Sequence, residues 1–147
     1  MKAVVSGKVI DITSVPDEMF AKKMMGDGVA IEPAEGKVYA PADGEITTFF
    51  PTGHAIGITT SNGAELLIHI GMNTVDLNGK GFTPKKAQGD KVKKGDLLLE
   101  FDIPTIKNAG FPVITPVIVT NMDYFNSVSP KAGGVDVKAG DAIIELS

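Results

Sequence analysis

Short β-prone apolar runs, each closed by a turn signal, recur from one end of the 147-residue chain to the other. This spacing is what most limits the folds open to it. Runs so short favour strands over helices of ordinary length, and their Val, Ile and Thr content points the same way. The pattern predicts strands at about 3–12, 29–32, 37–40, 44–50, 54–60, 65–70, 97–102, 112–120, 135–138 and 142–146. Turns are expected at Gly26-Asp27-Gly28, Glu35-Gly36, Asp43-Gly44, Asn62-Gly63 and Gly133-Gly134. Short helical turns fit at 17–23, with Pro16 placed just ahead, and at 104–108. Seventeen glycines and nine prolines spread along the chain suit many turns and few helices. The expected class is therefore all-β, an antiparallel sandwich or barrel.

Two internal echoes suggest that the sheet is built from two related halves. Val92-Lys-Lys-Gly-Asp-Leu-Leu-Leu-Glu-Phe101 resembles Val137-Lys-Ala-Gly-Asp-Ala-Ile-Ile-Glu-Leu146, and Gly7-Lys-Val-Ile-Asp-Ile12 resembles Gly44-Glu-Ile-Thr-Thr-Phe49. Biotinyl and lipoyl carrier domains share the Val, Gly-Asp, apolar-strand order but modify a lysine at a hairpin tip. Here the comparable tips are Asn62-Gly63 and Asp43-Gly44, which argues against a swinging arm.

A formal charge of −4 opposes nucleic-acid binding, which needs a cationic surface. The absence of cysteine excludes disulfides, thiolate metal sites and a cysteine nucleophile within this chain. No run approaches the roughly 20 apolar residues of a membrane span, and the N-terminus lacks a signal-peptide pattern. The expectation is one domain over 1–147 in the cytoplasm, cut from a longer polypeptide, because strand-like sequence begins almost at Met1.

The only histidines are His54 and His69. If Asn62-Gly63 forms a two-residue type I′ turn, Ile56 falls opposite His69 and His54 opposite Gly71. In a regular strand Thr52, His54 and Ile56 then share a face with His69, and the two histidines are diagonal neighbours roughly 7–8 Å apart. A slip of one residue would separate them onto opposite faces. Two imidazoles and a hydroxyl could bind zinc, but without a third ligand the site is poor. They could serve a serine hydrolase, but no nucleophile elbow is present. They could also carry out phosphoryl transfer, with one ring as nucleophile and the other donating to phosphoryl oxygens. Geometry alone does not choose among these.

Around these residues the chain resembles the glucose-type IIA domain of the bacterial phosphoenolpyruvate-dependent sugar phosphotransferase system. The resemblance runs from Gly7 to Glu145. It is carried by Val15-Pro-Asp-Glu-Met-Phe20, Met25-Gly-Asp-Gly-Val-Ala-Ile31, Ala40-Pro-Ala-Asp-Gly44, Phe50-Pro-Thr-Gly-His-Ala-Ile56, Leu66-Leu-Ile-His-Ile-Gly71, Gly79-Lys-Gly-Phe82 and Thr115-Pro-Val-Ile-Val-Thr-Asn121. The wording is most similar to the IIA portion of β-glucoside-type permeases.

The resemblance implies an antiparallel β-sandwich with few helical turns. It also implies that His69 accepts a phosphoryl group on Nε2, that His54 hydrogen-bonds to it, and that Thr52 orients His54. Phosphate would come from the phosphohistidine protein HPr and pass to a cysteine of a IIB domain. The membrane component IIC would be engaged only indirectly, and no cofactor or metal would be needed. Met19, Phe20, Met25, Phe50 and Leu67 match an apolar docking ring, and Asp17 an acidic position that meets an arginine of HPr. The family usually reads Gly-x-Asp-Thr-Val after the acceptor, but here the segment is Gly71-Met-Asn-Thr-Val75. Asn73 removes a carboxylate, which predicts weaker docking to HPr. The resemblance also allows a second reading, a regulatory binding module switched by histidine phosphorylation. The domain would be free-standing or tethered through a parent IIBC permease.

Overall fold

The computed structural model describes residues 2–24, 26–125, 128–130 and 133–146, with the side chains of Met19 and Glu145 excepted. Thirteen strands are described: β1 (Gly7–Asp11), β2 (Asp27–Pro33), β3 (Lys37–Tyr39), β4 (Gly44–Phe49), β5 (Ala55–Thr60), β6 (Glu65–His69), β7 (Phe82–Pro84), β8 (Lys91–Val92), β9 (Leu97–Phe101), β10 (Thr115–Val119), β11 (Val128–Pro130), β12 (Asp136–Val137) and β13 (Ile144–Leu146). Two short helices, α1 (Glu18–Ala21) and α2 (Ile103–Asn108), lie near the predicted helical turns. All described pairings are antiparallel.

The main sheet has the order β12-β1-β2-β10-β6-β5-β4-β8, beside sheets β3-β9-β7 and β11-β13. Its edge strands β12 and β8 do not pair with each other among the described residues, so the sheet remains an open sandwich layer rather than a closed barrel. The internal echoes occupy equivalent places in it. Gly7 pairs with Val137 at one edge and Gly44 with Val92 at the other, while β10 and β6 meet in the middle through Val117 and Ile68.

The two faces of the main sheet carry different clusters. Val9, Val29, Ile31, Ile56, Ile58, Leu66, Ile68 and Val117 pack with Val38, Leu98, Leu99 and Phe101 of the small sheet in the principal core. The other face carries Ala30, Ile118 and part-buried Ile10 and Leu67, covered by Ile12 and Val15 of the chain leading into α1 and by Phe20 within it. Side-chain alternation puts His69 on the second face with Leu67. That is why residues 12–21 end up beside it.

Several sequence expectations change. Residues 27–28 open β2 instead of forming a turn. A Cβ on Gly28 would lie 2.0 Å from the Val117 carbonyl oxygen, so glycine here allows close strand approach. The predicted strand 3–12 contracts to β1, with a 3₁₀ turn over Ile12–Ser14. β7, β8 and β11 are only two or three residues long, too short for an alternation signal.

Candidate functional site

The β5–β6 hairpin is not the two-residue turn expected. Thr60 N–H donates to the Ala64 carbonyl at 2.8 Å, and Gly63 alone of the loop has positive φ, at 91°. The loop therefore has three residues, Ser61 to Gly63, closed by a glycine bulge. This shifts the register by one: His69 faces Ala55, and Ile56 faces Ile68 in the core. In a regular strand that slip would send His54 to the opposite face from His69.

The histidines meet because His54 is not in the strand. Residues 50–54 form the loop of the β4–β5 hairpin, closed by Phe50 N–H to the Ala55 carbonyl at 3.1 Å. Gly53 N–H donates to the Phe50 carbonyl at 2.8 Å in a β-turn with Pro51 at its second position. Gly53 then adopts φ 75°, taking the backbone out of the pleat before His54. The His54 carbonyl accepts from Ile70 N–H at 2.7 Å, which holds the loop against the end of β6. The two imidazole centroids are 5.2 Å apart with planes at 76°.

Each ring is tethered at Nδ1. His69 Nδ1–H donates to the Gly71 carbonyl at 2.7 Å. A carbonyl can only accept, so the neutral ring carries its lone pair on Nε2. Gly71 lies at φ 74°, and the buried Thr74 hydroxyl donates to the Ile70 carbonyl at 2.6 Å, holding the turn that presents the acceptor. His54 Nδ1 is hydrogen-bonded to the Thr52 hydroxyl. Burial lowers the pKa of both rings, with the neighbouring His69 a further cause at His54. At His69 the Gly71 hydrogen bond and the Asp17 charge oppose that lowering in part. Two neutral rings side by side at neutral pH are the consequence.

The surrounding residues divide by exposure. Phe20 is only 4% exposed and belongs to the second core cluster, its ring 5.4 Å from that of His69. It forms the wall behind His69 and offers little surface to a partner. Phe50 is 41% exposed and meets the His54 ring edge-on at 5.1 Å. Leu67 is half-buried beside His69, and Asp17 is half-buried within electrostatic reach of it. Asn73 is exposed with φ 60°, a left-handed conformation that Asn and Asp adopt more readily than most residues. Met25 and the side chain of Met19 lie outside the described residues.

Sequence reasoning missed the Gly71 carbonyl and Gly53, whose roles are those of backbone; their only signal was a glycine within two residues of each histidine. Among the described residues no group of three or more His, Cys, Asp or Glu could hold a metal ion. Nor is any described helix long and apolar enough to cross a membrane.

The chain is similar to known proteins along most of its length. The family model described as phosphoenolpyruvate-dependent sugar phosphotransferase system, EIIA 1, matches residues 1–125. A PTS system beta-glucoside-specific EIIBCA component from Halalkalibacterium halodurans is 51% identical over 142 residues, 97% of this chain but 22% of that protein. The chain thus spans about a fifth of that relative's length. A PTS system glucose-specific EIIA component of the same organism is 50% identical over 139 residues, 95% of this chain and 80% of that protein. The solved glucose permease IIA from Mycoplasma capricolum superposes with TM-score 0.88 at 38% identity, covering 97% of this chain and 92% of that one.

Proposed function

The chain belongs to the EIIA 1 family of the phosphoenolpyruvate-dependent sugar phosphotransferase system, and from that membership we propose that it relays a phosphoryl group in sugar uptake through His69. The observation that carries the assignment is the Nδ1–H hydrogen bond of His69 to the Gly71 carbonyl, made beside a second imidazole 5.2 Å away. This bond fixes the tautomer that leaves Nε2 as nucleophile.

HPr is the donor in this reading. Its N–P bond breaks with the electron pair returning to the donor ring, while the Nε2 lone pair of His69 forms the new N–P bond. The His69 ring gains positive character as it does so, which the Gly71 carbonyl and the Asp17 charge stabilise. In this reading His54 carries its proton on Nε2 and donates it to a phosphoryl oxygen, while its Nδ1 accepts from the Thr52 hydroxyl that is hydrogen-bonded to it. Exposed Phe50 and half-buried Leu67 supply apolar contact to the partner. The phosphoryl group then passes to a cysteine of a IIB domain, which this chain cannot supply because it has none. The permease served is of the glucose or β-glucoside type, on the cytoplasmic side of the membrane, with residues 1–147 acting as one domain.

Reconstitution with phosphoenolpyruvate, Enzyme I and HPr tests the assignment. His69→Gln should abolish the acid-labile phosphoryl adduct. His54→Gln should accept phosphate yet fail to pass it to IIB. A phosphorylated His69→Gln protein alongside an unphosphorylated His54→Gln protein would reverse the two roles.

A further inference from the structure

The chain's charge is strongly divided. Lys80, Lys85, Lys86, Lys91, Lys93 and Lys94 fall in the stretch 80–96 with only Asp90 and Asp96, so that stretch is +4 while the remainder of this −4 chain is −8. All six but the half-buried Lys86 are exposed. Among the described residues none of them lies within ion-pairing distance of a carboxylate; the pairs present are Lys22–Glu18 and Lys23–Asp27.

The nearby acids are occupied by backbone. Asp90 accepts from Ala87 N–H, Asp96 from Lys93 N–H, and Asp43 from Lys94 N–H, at 2.8, 2.9 and 2.8 Å. Glu45, which faces Lys91 across β4 and β8, is the acid best placed to offset it.

The fold lays the middle of this stretch, residues 88–92, along one edge of the main sheet, while residues 82–85 run along β9 at the edge of the small sheet, where Lys85 N–H donates to the Leu98 carbonyl at 2.9 Å. The stretch starts beside the histidine loop, where a Cβ on Gly79 would lie 3.7 Å from the Thr52 carbonyl oxygen. The Gln88 side chain then accepts from Phe49 N–H at 3.2 Å, Gly89 N–H donates to the Ile46 carbonyl at 2.7 Å, and β8 pairs with Gly44 and Glu45. Residues 88–92 thus follow the length of β4, roughly 20 Å at about 3.3 Å per residue, with Lys85 and Lys86 just before them and Lys93 and Lys94 just after.

We propose that this lysine edge docks on the anionic phospholipid surface of a membrane, holding the domain with its histidine loop close to the bilayer. Three features favour lipid over a protein partner. The charges are all lysine, point charges that need no fixed register, and arginine is absent from the chain. The one aromatic of residues 80–96, Phe82, is buried and cannot anchor a partner, whereas protein interfaces concentrate aromatics and arginine and are poor in lysine. Clusters of four to eight basic residues are the size that anionic leaflets attract. The −8 remainder is no obstacle, because charges more than a Debye length of about 10 Å from the surface are screened at 0.1 M salt. The inference stands apart from the phosphoryl chemistry, and its test does not use that chemistry.

The test is sedimentation of the folded chain with vesicles of phosphatidylcholine alone or with one-third phosphatidylserine. The quadruple variant Lys85→Gln, Lys86→Gln, Lys93→Gln, Lys94→Gln is compared with a control, Lys8→Gln, Lys37→Gln, Lys107→Gln, Lys138→Gln. The unmodified chain should bind phosphatidylserine vesicles at about 0.1 M salt and be released at about 1 M. Each patch lysine is worth roughly fivefold, so the patch variant should lose more than a hundredfold in partitioning. The control should lose far less. No binding by the unmodified chain, or equal losses in both variants, would overturn the proposal and leave the lysines as protection of an edge strand. Binding to polyglutamate but not to vesicles would overturn it in favour of an acidic protein partner.

Discussion

Gly71→Ala perturbs the one backbone group that fixes the tautomer of His69. At φ 74° an L-residue is strained by about 1–2 kcal/mol. The new Cβ would also lie 2.6 Å from the Thr74 methyl and 2.7 Å from the Pro112 carbonyl oxygen. The second of these is backbone and cannot rotate away, so a further cost of about 1–3 kcal/mol follows from overpacking. Gly140→Ala is the matched control, with φ 97° and nothing within 4 Å of its Cβ. It should pay only the conformational part. Urea unfolding should therefore show Gly71→Ala destabilised by about 2–5 kcal/mol and Gly140→Ala by about 1–2 kcal/mol. Long-range ¹H–¹⁵N spectra of the imidazoles should show the His69 tautomer mixed in the first variant and unchanged in the second. Equal stabilities for the two variants, with an unaltered His69 spectrum, would refute the claim that a packed Gly71 turn orients the ring.

Both histidine pKa values lie below the ordinary 6.5. Lowered pKa values mean that the unfolded chain binds more protons, so stability contributed at neutral pH should be lost as pH falls below about 6.5 towards the folded values. NMR titration should give both midpoints below 6.5, and a midpoint above it for either ring contradicts the burial argument. Thr52→Val removes the hydrogen bond at His54 Nδ1, worth about 0.5–1.5 kcal/mol. Rapid-quench transfer to IIB should slow by about twofold to tenfold, while an unchanged rate would deny Thr52 an orienting role. Asn73→Asp restores a carboxylate at an exposed left-handed position. Stability should change by less than about 0.5 kcal/mol and affinity for HPr should rise, whereas equal transfer rates at low salt would count against the docking role.

The all-β class and most strand positions were legible because short β-branched runs and glycine turns are local signals. The hairpin register was not. Asn62-Gly63 suits either a two-residue turn or a three-residue loop, and one local and two distant contacts accompany the latter. The Thr60 hydroxyl bonds with the Asn62 side chain, Asn121 donates to the Gly63 carbonyl at 2.8 Å, and Tyr124 lies against Gly63. The histidine pair was anticipated through a register that does not occur, and it forms because Gly53 turns the chain before β5. Phe20 carries the same apolar signature in sequence as Phe50. Only the cover that residues 12–21 place over the second face makes one a wall and the other a surface.

Where the phosphoryl group resides tests the central claim most directly. The chain is labelled with ¹⁵N at histidine and phosphorylated through Enzyme I and HPr, and ³¹P–¹⁵N coupling then identifies the bonded nitrogen. The coupling should appear at Nε2 of His69, with His69 Nδ1 retaining the environment set by the Gly71 carbonyl. Coupling at Nδ1 of His69, or at either nitrogen of His54, would contradict the account.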